Sequence, residues 1–211
     1  SFLVVEFATM LTNVGVNQNL IQREKWEKSY FTSVLTIILL LSVSVTLVLA
    51  SAGGMLSYFF YSAEASLIIV ALAILPVFMS LQSIYSAKLE REFLNKEITV
   101  VRALTSIVFG ILTIILVFNS FGIWSIVISK LMQHFVTLSI FMWRSNLPIK
   151  LGVNSLHLLE IKSFCLPLFG IALVNFFHNK GSNLFVGAVL GAEKFALISV
   201  SKKGYHVLGQ L

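Results

Sequence analysis

Seven long apolar stretches fill nearly all of the 211 residues, and the connections between them are alternately rich in and empty of Lys and Arg. A bilayer core about 30 Å thick is crossed by about 20 mostly apolar residues in a helix. The chain therefore reads as an all-α integral membrane protein, a multi-pass helical bundle. Spans are expected at Phe2 to Leu20, Phe31 to Phe59, Ala65 to Ala87, Ile98 to Phe118, Phe121 to Trp143, Ile161 to Asn183 and Phe195 to Leu211, the last incomplete. The second is longer than a span needs, and Gly53-Gly54 is expected to end its membrane part, leaving LSYFFY as an aromatic interfacial segment. Pro76 is expected to kink the third. Only Asn119-Ser120 separates the fourth from the fifth, which demands a tight antiparallel hairpin.

Composition excludes the main soluble alternatives. With 57% hydrophobic and 11% charged residues and a mean hydropathy of +0.93, the chain is too apolar for an ordinary aqueous surface. The net charge of +6 would suggest nucleic acid in a soluble protein. Here the basic residues collect beside the spans, where the positive-inside effect accounts for them, so no nucleic-acid partner is expected. The single Cys165 sits in an apolar run beside Pro167 and reads as a packing residue, which excludes a disulfide framework and a multi-cysteine metal site. The opening SFLVVEFATM lacks a signal peptide's basic start and cleavage site, and Leu211 falls inside an apolar segment. On this reading the chain is a piece of a longer protein.

Lys and Arg in short loops set topology, whereas Asp and Glu contribute little. QREKWEK, KLEREFLNKE and the stretch from Arg144 to Lys162 carry three each; Ser51 to Glu64 and the turn after Phe118 carry none. The rich loops are thus expected in the cytoplasm and the empty ones outside. The last connection, holding Lys180 and Lys194, is expected outside despite its two lysines, which points to another role for them.

Charges within a span cost roughly 3 kcal/mol on insertion scales and usually face a protein interior or a wet cavity. At 100° per residue, Glu6, Thr9, Asn13 and Asn17 share one face of the first helix. Ser199, Lys202, His206 and Gln210 repeat those offsets on the last, 193 residues after Glu6, with Lys203 beside them. One reading is an internal repeat of two halves, as in many transporters. Asn175, His178, Asn179 and Ser182 share a face of the sixth helix. Ser125, Ser129, Lys130, Gln133, His134 and Thr137 cover about half of the fifth, and Arg102, Thr105, Ser106 and Thr113 cluster on the fourth. Such stripes either line a polar cavity or are dry interhelical hydrogen bonds, worth about 0.6 kcal/mol each. Arg102 and Lys130 are near enough to helix ends to snorkel to the headgroups. Lys202, Lys203 and His206 need a wet face, and Glu6, the only acid within a span, suits either proton carriage or an interface.

Other chemistry lacks its machinery. No phosphate-binding loop precedes a Lys-Ser or Lys-Thr pair. His134, His157, His178 and His206 are dispersed, so no metal site is expected, and neither paired carboxylates nor a nucleophile-histidine set is visible. No cofactor and no enzymatic activity are expected; what remains is moving something across a membrane or holding partners in it.

VGVNQNLIQRE, LQSIYSAKLEREFLNKE, FGIWSIVISKLM and FCLPLFGIALVNFFHNKGSNLFVGAVLGAEKFALISVSKKG, in that order, resemble the bacterial oligosaccharide flippases of the multidrug/oligosaccharidyl-lipid/polysaccharide exporter superfamily. The resemblance covers nearly the whole chain and implies a two-lobed exporter. Residues 1–150 correspond to the second to sixth family helices of the amino-terminal lobe, and residues 151–211 to a cytoplasmic linker and the seventh and eighth helices; the first and last family helices are absent. It implies a bacterial inner-membrane protein that carries undecaprenyl-pyrophosphate-linked oligosaccharide for O-antigen, capsule or exopolysaccharide assembly, by alternating access with ion coupling. Partners would be the lipid-linked oligosaccharide, membrane lipid, a polysaccharide polymerase and a chain-length regulator. Many relatives have Arg and Asp where this chain has Asn179 and Ser182, so no ion-pair or acidic coupling role is carried over to those positions.

A pyrophosphate needs cationic partners and sugar hydroxyls need amides and hydroxyls. Lys202, Lys203 and Lys180, with Arg102 and Lys130, are accordingly the expected anion contacts. Asn13, Asn17, Gln133, Asn175 and Asn179 are the expected sugar path, with Glu6 and His206 the candidates for ion coupling. Two alternatives stand: a cation-coupled drug exporter of the same superfamily, which would favour an acidic cavity, and a non-transporting membrane scaffold for envelope assembly, which dry stripes would favour.

Overall fold

The computed structural model describes residues 8, 10, 12, 15–23, 27–59, 63–147 and 150–178, and every regular element among them is a helix. These are α1 (Val16–Gln22), α2 (Lys28–Phe59), α3 (Ala63–Leu72), α4 (Leu75–Arg91), α5 (Asn95–Phe118), α6 (Trp124–Ser145) and α7 (Ser155–His178). Five stretches among the described residues are long and apolar enough to cross a bilayer: Lys28–Ser51, Leu67–Arg91, Asn95–Phe118, Trp124–Ser145 and Ser155–His178. The chain is a multi-pass helical membrane protein. The expected first span is described only in part, and the expected span at Phe195 to Leu211 lies outside the described residues.

Helix breaks fall where backbone chemistry puts them. Pro76 lacks an N–H and its ring crowds the preceding turn, and the third expected span is divided into α3 and α4 at Ala73-Ile74. Thr46 Oγ1 of α2 donates to the Ala73 carbonyl at the break (2.8 Å), keeping that carbonyl paired inside the bundle. Two sequence expectations are corrected. The first span is not one helix to Leu20: the backbone turns left-handed at Gly15 (φ 73°), a conformation glycine adopts without a Cβ clash, and restarts at Val16. The helix of the second span runs to Phe59 as expected, and its membrane-crossing stretch, Lys28–Ser51, ends just before Gly53-Gly54. The α5–α6 connection spans residues 119–123, with Ser120 and Gly122 at φ 64° and 54°; two residues are too few to reverse helices of this length here.

Helix α4 is the hub, packing against α1, α2, α5 and α6, while α5 and α6 pair as the expected hairpin. The larger core cluster includes Tyr30, Phe31, Leu35 and Ile38 of α2, Ile84, Tyr85 and Leu89 of α4, and Leu138 and Phe141 of α6. A smaller one joins Ile68 and Leu72 of α3, Leu75 of α4 and Val127 of α6. By compactness the chain divides into Ser1–Leu166 and Pro167–Leu211. The first unit holds α1 to α6 and the start of α7; the described part of the second is the continuation of α7.

The three Lys/Arg-rich connections are tied together at one end of the first unit. Arg23 bonds Glu160 (2.6 Å), Arg144 grips Glu97 through two nitrogens (2.8 and 3.1 Å), and Arg91 donates to the carbonyls of Leu20 and Arg23. This agrees with all three lying on one side of the bilayer. The Arg23 guanidinium also stacks on the Tyr30 ring, 3.6 Å from its centroid. Burial alone would lower the Arg23 pKa, but the hydrogen bond and charge of Glu160, with Tyr30 and Glu27, hold it above its ordinary value.

Candidate functional site

In α4, Met79, Gln82, Ser83, Ser86 and Glu90 follow a helical spacing that puts them on one face. That face meets Arg102, Thr105 and Ser106 of α5, Gln133, His134 and Thr137 of α6, and Asn17 of α1 around a cleft of about 360 Å³. Among the described residues Met79 is the only apolar one lining it. In a bundle whose outward surface is Leu, Ile, Val and Phe, this concentration of polar groups is the inverse of the surrounding solvent.

The cleft runs from the basic end toward the bilayer centre. Glu90 is one residue from the end of α4 and Met79 lies eleven residues further in, about 17 Å at 1.5 Å per residue, roughly half a bilayer core.

Its walls are organised by hydrogen bonds. Gln82 Nε2 donates to the His134 carbonyl (2.6 Å) and lies 3.3 Å from His134 Nδ1, tying α4 to α6. Gln133 Nε2 donates to Ser106 Oγ (2.8 Å), and Thr137 Oγ1 sits 3.1 Å from Thr105 Oγ1, tying α6 to α5. Asn17 Nδ2 reaches both Glu90 oxygens at 3.3 and 3.4 Å. The other side-chain atom of Asn17, Oδ1, is buried without a hydrogen-bond partner among the described residues. A buried acceptor left unpaired costs free energy unless water or a ligand serves it.

Two charges of opposite sign border this space without neutralising each other. Glu27, Glu92, Glu97 and Glu160 are each ion-paired, whereas Glu90 forms no ion pair among the described residues. Arg102 likewise has none there and lies over the Phe141 ring, 5.7 Å from its centroid. Arg102 is exposed and Glu90 half-buried near the end of its helix, so each charge is free to meet water or a ligand. The arrangement can hold a polyhydroxylated ligand through amides and hydroxyls and an anionic group through Arg102. Among the described residues no group of three or more His, Cys, Asp or Glu is placed to hold a metal ion.

Of the residues expected to bind, the fold brings Asn17, Arg102 and Gln133 to the one cleft. Lys130 is exposed and stands beside the cleft rather than among its lining residues, donating from Nζ to Oε1 of the lining residue Gln133 at 3.2 Å. Asn175 belongs to the Pro167–Leu211 unit and is not a lining residue of this cleft. Glu6, Asn13, Asn179, Lys180, Lys202, Lys203 and His206 lie outside the described residues. The α4 wall was missed altogether. Its signal is in the sequence, since Gln82, Ser83, Ser86 and Glu90 share one face, but the first three are isolated within an apolar span and Glu90 stands in a Lys/Arg-rich stretch. On α6 the stripe divides: Ser125 and Ser129 are buried, while Gln133, His134 and Thr137 line the cleft.

No curated protein and no solved structure matches the chain. The family model described as "Polysaccharide biosynthesis protein" matches residues 1–211, the whole of it. The cleft inside the multi-pass bundle is polar and charged, and the match over the full length makes the identification: the chain belongs to the polysaccharide biosynthesis protein family.

Proposed function

We propose that the chain moves undecaprenyl-pyrophosphate-linked oligosaccharide repeat units from the cytoplasmic to the periplasmic leaflet of the bacterial inner membrane, by alternating access coupled to an ion. The observation that carries the reading is the cleft of about 360 Å³, polar at every described lining position but Met79 and reaching from the basic end toward mid-bilayer. By the positive-inside effect that end is the cytoplasmic one, the side on which a lipid-linked precursor would enter. Hydroxyls and amides such as Ser106, Gln133, Gln82 and Asn17 suit sugar hydroxyls. Arg102 suits a phosphate oxygen, with Lys180, Lys202 and Lys203 contributing from the later part of the sequence. The lipid tail stays in the bilayer, and the product passes to a polymerase and its chain-length regulator.

The test is complementation of a strain lacking its own repeat-unit flippase, reading surface polysaccharide and the leaflet that holds the lipid-linked unit. The unaltered protein should restore surface polymer. Arg102→Gln should cut it about tenfold at equal protein level, as expected for losing one charge-assisted hydrogen bond, and Lys202→Gln with Lys203→Gln should abolish it. Intermediates left on the cytoplasmic leaflet by the well-expressed unaltered protein, supplied with a repeat unit from its own source, would overturn the proposal.

A further inference from the structure

Residues 150–161 leave α6 behind, cross the basic end and enter α7, and they are held there in an unusual way. Of these residues only Ile161 is buried; Leu151, Val153, Leu156 and Leu159 are exposed. The attachment is instead polar. Thr36 Oγ1 of α2 accepts from the Gly152 N–H (2.9 Å) and lies 3.2 Å from the Gly152 carbonyl. Ser33 Oγ accepts from the Asn154 N–H and sits 3.2 Å from His157 Nδ1, and the His157 ring packs edge-on to Tyr30 at 5.1 Å. The outermost tie is Arg23–Glu160, with Arg23 stacked on Tyr30. The ties at its two ends, Thr36–Gly152 and Arg23–Glu160, are exposed, individually weak and exchange readily with water, while Ser33 and Tyr30 between them are buried, so the segment is held mostly by bonds that can break reversibly.

The fastening shares its supports with the cleft. Helix α1 carries the cleft residue Asn17 and, two residues on, Asn19, whose Oδ1 accepts from Tyr30 Oη at 2.5 Å beneath Arg23. Helix α4 carries the cleft residue Glu90 and, next to it, Arg91, which donates to the Arg23 carbonyl. A shift of α1 or α4 at the cleft is thus delivered to both sides of the Arg23 contact. We propose that residues 150–161 form a strap latched by Arg23 and Glu160, that the closed latch favours the state with the cleft open to the basic end, and that release is required for the chain to leave it. The coupling is energetic and reciprocal: what moves α1 and α4 loosens the latch, and loosening the latch closes the cleft. This rests on the cleft being the substrate's site, but its test needs no sugar.

In a Cys165→Ser background, Ser106→Cys places the only thiol in the cleft. Its reaction rate with a membrane-impermeant maleimide is measured in inside-out vesicles. Glu160→Gln, and separately Thr36→Val at the other end of the strap, should each slow labelling two- to fivefold, and exchanging the charges, Arg23→Glu with Glu160→Arg, should restore the rate. Unchanged or faster labelling in both Glu160→Gln and Thr36→Val, with the proteins monodisperse by size exclusion, overturns the latch. Loss of polysaccharide export with the labelling response intact would instead remove the transport reading and leave the latch.

Discussion

Helices α4 and α5 are neighbours in one bundle, yet they occupy opposite environments. On α4 nine residues are buried, among them Ser80, Gln82 and Ser86; on α5 only Ile98 and Thr105 are. The rest of α5 offers Leu104, Ile107, Val108, Ile111 and Ile114 outward. Its polar residues Arg102, Thr105 and Ser106 all turn to the cleft, where the polar face of α4 meets them. In lipid the apolar stripe is the outside and the polar stripe the inside, so total hydropathy says that a helix spans and the angular position of its few polar residues says what it encloses.

The sharpest way to break this comparison is to remove a large side chain from each helix. Tyr85→Ala, on α4 and about 1% exposed, should cost about 3–5 kcal/mol, as large aromatic truncations do. Ile107→Ala, on the outer face of α5, should stay within about 0.5 kcal/mol. Thermal unfolding in detergent, followed by tryptophan fluorescence, compares them; equal losses would mean that α5 is packed as tightly as α4. Next in size is a misplaced charge. Val108→Arg should cost roughly 3 kcal/mol of insertion free energy and lower the yield of membrane-integrated protein, whereas Arg102→Leu should leave that yield unchanged. A smaller effect is expected at the α4–α6 tie: Gln82→Leu removes the donor to the His134 carbonyl and should destabilise by about 1–3 kcal/mol. No loss there would show that water already serves that carbonyl.

Much of this bundle was legible in the sequence because the membrane imposes few options. Apolar runs of sufficient length gave the five described spans, Lys and Arg in the loops gave the end at which Arg23, Glu97, Arg144 and Glu160 meet, and Pro76 gave the break in the third expected span. Helical spacing put Arg102, Thr105 and Ser106 on one face, and the fold turns that face inward. What was not legible depended on neighbours. Gln82, Ser83 and Ser86 are isolated polar residues among apolar ones, and their role appears only when His134 and Thr105 are set opposite them. Glu90 read as part of a charged loop because helix α4 runs further than its apolar residues do. The strap was invisible for a related reason: Ser33, Thr36 and His157 are far apart in sequence and become partners only through the docking of residues 150–161 onto α2.

The central claim is that a water-filled cleft lies between α4, α5 and α6 and opens at the Lys/Arg-rich end. It is tested most directly by single cysteines at Ser83, Ser106, Val108 and Ile111 in the Cys165→Ser background, labelled with an impermeant maleimide in inside-out vesicles. The account predicts ready labelling at positions 83 and 106 and almost none at 108 and 111. Uniform protection of all four, with normal membrane insertion, would show the polar faces to be dry helix contacts and would contradict it.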